Sequence, residues 1–201
     1  MTTTRHTTGG RGKRGRPRSF DTAEVLDRSV DIFWRSGFNT VTTRHLENEI
    51  GISQSSIYNT FGSKSGLFTE TLAHYRRNFD AEVLSILTQP NADHRALLSF
   101  LHAIVGWISH PDRPGCLVLN HSADHAEGCA HSQRFRRELR QALNPVVASF
   151  TDDAQQTGER CEVILAAIMG LNCAITSGAD DEEMALLTAG VIGQVNRWIE
   201  T

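Results

Sequence analysis

Residues 42–68 of this 201-residue chain read TTRHLENEIGISQSSIYNTFGSKSGLF, and this stretch decides the fold. Leu46 and Ile50 lie four apart on one helical face, and Gly51 supplies the break at which the chain must turn. Ile52 falls in the turn. Ser53 is placed to cap a second short helix whose apolar positions, Ile57 and Phe61, are again four apart. The outward face of that helix carries Gln54, Ser55, Ser56, Tyr58 and Asn59. Such side chains are too small or too polar for a core, but they suit hydrogen bonds to base edges and phosphates. Two short helices crossing steeply need a turn of three or four residues, with the N-terminal half of the second left exposed. That is the layout of a helix-turn-helix docked on DNA. An ordinary helical hairpin in a larger bundle satisfies the same apolar periodicity, because the periodicity alone is a weak signal.

A longer pattern narrows the choice. It starts at Val41-Thr42-Thr43, passes through Leu46 and Gly51, and continues as Ser56-Ile57-Tyr58-Asn59, Phe61-Gly62-Ser63-Lys64 and Leu67-Phe68. Upstream, Ala23, Val30, Phe33, Trp34, Gly37 and Phe38 extend it, so that it covers residues 18–79. These residues resemble the tetracycline-repressor (TetR) family of bacterial regulators. Many members place alanine after the leucine of the first motif helix. Here that position is Glu47, whose direction the sequence leaves open.

The resemblance implies a helix-turn-helix DNA-binding domain at 19–65 and a larger helical regulatory and dimerisation domain at 66–201. By residue-for-residue match, Thr43, Arg44, Gln54, Ser55, Ser56, Tyr58, Asn59 and Lys64 are the positions expected at DNA. Gln54 and Asn59 are expected to read bases, Thr43, Tyr58 and Lys64 to hold phosphates, and Arg44 to do either. The implied partners are a palindromic double-stranded operator, a second copy of the chain, and a small-molecule effector that lifts repression.

Charge divides along the chain. Residues 1–80 hold 12 Lys and Arg against 8 Asp and Glu, and residues 81–201 hold 8 against 15. A basic N-terminal part on an acidic body is what a polyanion-binding module with a separate regulatory unit shows. Residues 1–18 form a basic arm, with Arg5, Arg11, Lys13, Arg14, Arg16 and Arg18 and no acid before Asp21. Rich in Gly and Thr, it is expected to be flexible without a partner. Its Arg14-Gly15-Arg16-Pro17-Arg18 resembles the core of an AT-hook, in which arginines lie along a narrow minor groove of high negative potential. Non-specific phosphate attraction by a basic arm is the alternative.

All-α is the fold class, with no β-alternation in the pattern. Asp21 and Glu24 cap a first helix that ends at Gly37. Ser63 caps a long helix expected over 64–88, stopped by Pro90. Further helices are expected over 92–109, from Cys116 to about 126, over 132–156 with a bend at Pro145, over 159–176 and over Asp181–Ile199. The run from Val163 to Leu171 is apolar nearly all round, which implies burial on two sides. With the small residues of the last helix it makes a pair that the resemblance places against its symmetry mate in a four-helix bundle.

Within the body, residues 115–131 carry Cys116, His121, His125, Cys129 and His131. The Gly115-Cys116-Leu117 and Asn120 pattern looks like a segment found in a branch of the family that includes members responsive to electrophiles or small organic molecules. Three readings stay open. Cys116 is a buried small hydrophobe, or a reactive thiol activated at a helix start. Alternatively His121 and His125, sharing a helix face, bind a metal with Cys116, Cys129 or His131. An apolar effector pocket lined by Phe100, Ile104 and Trp107 is the companion expectation.

Other classes fit less well. No Gly-rich phosphate loop, nucleophile elbow or paired acids flanked by strands is present, so neither catalysis nor a cofactor is expected. An architectural DNA-binding protein would suit the basic arm but not the acidic body. Four cysteines are too few and scattered for a disulfide scaffold. The first twenty residues lack the apolar run of a signal peptide, and no run reaches the roughly 20 apolar residues of a membrane span. A cytoplasmic location without membrane contact is expected.

Overall fold

A computed structural model describes residues 20–121 and 126–200. The basic arm and His125 lie outside the described residues. Nine α-helices run in the order α1 Thr22–Thr40, α2 Thr43–Ile50, α3 Gln54–Phe61, α4 Lys64–Glu82, α5 His94–Ile108, α6 Leu117–Asn120, α7 Ala126–Ala148, α8 Ala154–Thr176 and α9 Asp181–Ile199 among the described residues. None is long and apolar enough to cross a membrane.

The helix starts follow from their caps. Asp21 accepts the Ala23 amide, Thr42 that of His45, Ser53 that of Ser56 and Ser63 that of Gly66. Each side chain satisfies an amide that has no partner inside its own helix. Apolar faces then meet in one core. Phe33 of α1 packs its ring edge on Phe68 of α4 at 4.9 Å between centroids, and Phe38 lies 5.0 Å from the same ring. Leu46 and Ile57, both fully buried, fasten α2 and α3 beneath this cluster. At Gly66 the helices approach so closely that a Cβ would overlap the Phe61 carbonyl oxygen, so the end of α3 rests on the first turn of α4.

Several boundaries differ from expectation. Helix α1 breaks at Gly37, but helical turns continue to Thr40. The long helix ends at Glu82 rather than near 88, and a single 3-10 turn, Leu84–Ile86, follows it. Val83 and Leu87 bury there, which folds the chain back before Pro90 acts. Helix α6 is one turn long instead of reaching 126. Helix α7 begins and ends earlier than expected and contains Pro145. Two short strands, β1 Ser109–His110 and β2 Arg113–Pro114, pair in antiparallel register between the helices expected over 92–109 and from Cys116, where no strand was expected.

That hairpin joins the N-terminal helices to the body. The Trp34 indole N–H of α1 donates to the Pro114 carbonyl at 3.2 Å, and Arg113 lies 3.6 Å from Asp31. Asn120 donates to the same carbonyl at 3.1 Å and accepts from Asn172 of α8, whose own side-chain oxygen takes the Cys116 amide at 2.6 Å. Gly115 sits among these groups at a φ of 85°, where a Cβ would meet the Thr176 methyl at 2.5 Å. A polar chain thus runs from α1 through the hairpin to α8, across a turn only glycine fits.

Candidate nucleic-acid interface

All but one of the residues expected at DNA lie on α2 and α3, and Lys64 opens α4. Gly51 ends α2 in a left-handed conformation, Ile52 buries in the turn, and Ser53 opens α3. Ile57 faces inward, and this turns Ser55, Tyr58 and Asn59 out to solvent. Tyr58 is 49% exposed. Arg44 projects from the neighbouring α2. The side chains of Arg44, Tyr58 and Asn59 have no hydrogen-bond or ionic partner among the described residues.

Gln54 is different. Its side-chain oxygen accepts from the Thr43 hydroxyl at 3.1 Å, and its amide nitrogen donates to Glu47 at 2.9 Å. The other Glu47 oxygen accepts the Gln54 backbone amide at 3.4 Å. Glu47 therefore faces the start of the second motif helix, where a carboxylate also suits the helix dipole. Thr43 and Glu47 are four apart on α2 and grip the first residue of α3 from both sides. The free edge of the Gln54 amide retains one N–H and one lone pair for an outside partner. The positioning role of Glu47 was missed in the sequence, because it depends on how α3 packs across α2.

Lys64 departs from its expected place. Its ammonium donates to the Phe38 and Val41 carbonyls, each at 2.8 Å, and lies 4.2 Å from the centre of the Phe38 ring. Burial lowers its pKa from the ordinary lysine value. Instead of projecting toward a phosphate, Lys64 closes the C-terminal carbonyls of α1 and ties α1 to α4.

The expected effector residues separate. Phe100 and Ile104 are closed core, 0% and 2% exposed, and line no part of the cleft beside them. Trp107 does line that cleft, with Trp34 and Tyr75. Cys116 is buried, and burial pushes its thiol pKa up, the opposite of what an activated thiol needs. Its sulfur meets the Tyr75 hydroxyl, which also accepts the Trp107 indole N–H. The Val118 and Leu119 amides at the start of the one-turn α6 pull the thiol pKa down, but less than burial raises it. Cys129 is exposed. Among the described residues, no three His, Cys, Asp or Glu side chains converge as metal ligands.

Known proteins share this arrangement. The family described as bacterial regulatory proteins, tetR family, matches residues 25–71, which span most of α1, all of α2 and α3 and the first part of α4. The HTH-type transcriptional regulator YezE of Bacillus subtilis is 25% identical over 154 residues, covering 74% of this chain and 79% of that protein. The HTH-type transcriptional repressor ComR of Escherichia coli is 26% identical over 186 residues, 85% and 87% of the two chains. Among solved structures, the TetR-family regulator CifR, a cysteine mutant complexed with operator DNA, superposes with a TM-score of 0.73 at 22% identity. The match covers 92% of this chain and 99% of that one. The helix-turn-helix, its outward polar face and the helical body behind it agree with these matches: residues 25–71 carry the DNA-binding domain of the tetR family of bacterial regulatory proteins, and the chain has the fold of the tetR-family structures.

Proposed function

We propose that the protein is a cytoplasmic repressor that acts by binding rather than catalysis. It reads a palindromic operator as a homodimer and leaves it when a small molecule binds. In this reading, residues 19–65 are the DNA-binding unit and 66–201 the regulatory and dimerisation unit. The observation that carries it is the outward polar face of α3, on which the Tyr58 and Asn59 side chains have no partner among the described residues. Asn59 and the free edge of Gln54 read bases, while Thr43, Arg44, Ser55, Ser56 and Tyr58 fix the backbone. Lys64 acts behind this face, by holding α1 to α4.

A second exposed surface supports the dimer. On α8, Ile164, Leu165 and Ile168 are buried within the chain, while Val163, Ala166 and Gly170 are exposed on the opposite side. On α9, Leu186 is 75% exposed. An apolar stripe with small residues suits close packing against a second copy, and two-fold symmetry spaces two α3 helices by about 34–36 Å or a multiple of it. The similarity to a relative named as a repressor supports repression as the sign of the effect.

The test is a gel-shift titration of duplexes from the region upstream of the protein's own gene, against random duplex of equal length. Specific binding tighter by a factor of about 10³ or more is expected. Equal affinity for both would reject the reading and favour an architectural role.

A further inference from the structure

A cleft of about 710 Å³ separates α1 from α5 on a floor formed by α4. Its walls are two helical faces with the same spacing. Asp27, Val30, Asp31 and Trp34 form the α1 wall, and Ala103, Gly106, Trp107 and His110 face them from α5 and β1. The volume is that of a drug-sized ligand site.

Two features give the cleft a chemical preference. Three carboxylates line it, Asp27, Asp31 and Glu82, against the single guanidinium of Arg113. Asp27 is held by His74 at 2.6 Å and Asp31 is loosely met by Arg113 at 3.6 Å. Glu82 has no partner among the described residues and is exposed. Between these acids stand the partly exposed rings of Trp34 and Trp107, with Tyr75 between them at 5.2 and 5.5 Å. Aromatic walls beside three carboxylates that outnumber the one guanidinium, with Glu82 unpaired, attract a cation and disfavour an anion.

The opening is also kept clear. Gly106 lies in the interior of α5, where glycine disfavours the helix relative to alanine. A Cβ there would meet nothing within 4 Å. No close packing requires glycine at this position, and the space its missing side chain leaves belongs to the cleft.

We propose that this cleft is an effector site for organic cations, aromatic or alkyl-ammonium in character. The proposal rests on the repressor reading for its consequence, because the cleft abuts the contact that docks α1 on the body. Arg113 lines the cleft, and the next residue, Pro114, holds Trp34. A cation paired with Asp31 and stacked on Trp34 competes with both the Arg113 contact and the Trp34 hydrogen bond. Occupancy thereby favours a conformation in which α1 is released from the hairpin.

The experiment is calorimetric and fluorescence titration of the full chain with three cations: N-methylquinolinium, benzyltrimethylammonium and tetraphenylphosphonium. The neutral isostere 1-methylnaphthalene and the anion naphthalene-1-sulfonate serve as controls. At least one cation is expected to bind about tenfold or more tighter than the neutral isostere and to quench tryptophan emission. Glu82→Gln should weaken it severalfold, and Gly106→Phe should abolish it while operator affinity and melting temperature hold. Three outcomes would each overturn the site: no cation binding below millimolar concentration, equal binding of cation, neutral and anion, or unchanged binding in both variants. Cation binding as described with the operator complex left intact would overturn its effector role. A chain that binds cations in this pattern but has no specific operator would fail the repressor reading alone.

Discussion

The recognition helix and the C-terminal helix pair both leave side chains uncovered on the single chain, and of opposite kinds. On α3 the uncovered groups are polar: Ser55, Tyr58 and Asn59, beside Arg44 on α2. On α8 and α9 they are apolar or small, with Val163 at 49% and Leu186 at 75% exposure. Water satisfies the first set without loss, so that face can wait free for DNA. It does not satisfy the second, and burying such a surface is favourable at about 25 cal/mol per Å². The contrast assigns one surface to reversible reading and the other to lasting assembly.

The largest effect should come from the apolar face. Gly170→Glu places a carboxylate where the isolated chain has open space, so the fold survives while the interface must bury a charge. Sedimentation should show a monomer at micromolar concentration, with operator affinity lowered on the order of 100-fold as one half-site loses the other's help. Native-like dimers from this variant would move the interface elsewhere. Next, Asn59→Ala should cost about 1–3 kcal/mol on the operator and relax preference at one base pair per half-site, with little change on random DNA. Equal loss on both duplexes would make Asn59 a backbone contact.

Lys64→Ala separates structure from reading. It removes two hydrogen bonds to the α1 carbonyls, so it should lower folding stability by about 1–3 kcal/mol in urea titrations. The salt dependence of DNA binding should keep its slope, whereas a slope reduced by about one unit would restore a phosphate contact. Glu47→Ala should have the smallest effect, about 0.5–1.5 kcal/mol, seen as weaker discrimination between operator variants once Gln54 loses its clamp. Sharper discrimination in that variant would mean Glu47 restrains Gln54 from reading.

The two regions also differ in how far the sequence reveals them. Around the motif the signals are local. Asp21, Thr42, Ser53 and Ser63 each cap the helix that follows, and Leu46, Ile50 and Ile57 bury as their spacing requires. What escaped notice depends on tertiary approach: Glu47 turned onto Gln54, and Lys64 folded back onto α1. Neither direction is contained in a single helix's periodicity. In the body, α9 spans the expected residues because its acidic start and apolar spacing are strong. The 109–114 hairpin, the early end of α4 and the burial of Cys116 were not legible. The hairpin and Cys116 depend on the distant residues Trp34, Tyr75 and Asn172 that they pack against, and the end of α4 depends on the burial of Val83 and Leu87.

The central claim is that α3 reads a two-fold-symmetric site as one of a pair. Selection of bound duplexes from a random pool by the full chain tests it most directly. An enriched inverted repeat is predicted, with half-site centres about 10–10.5 base pairs apart or a multiple of that, lost when Gly170→Glu is used in the same selection. Enrichment of no sequence, or of a single unrepeated half-site by the parent chain, would contradict it.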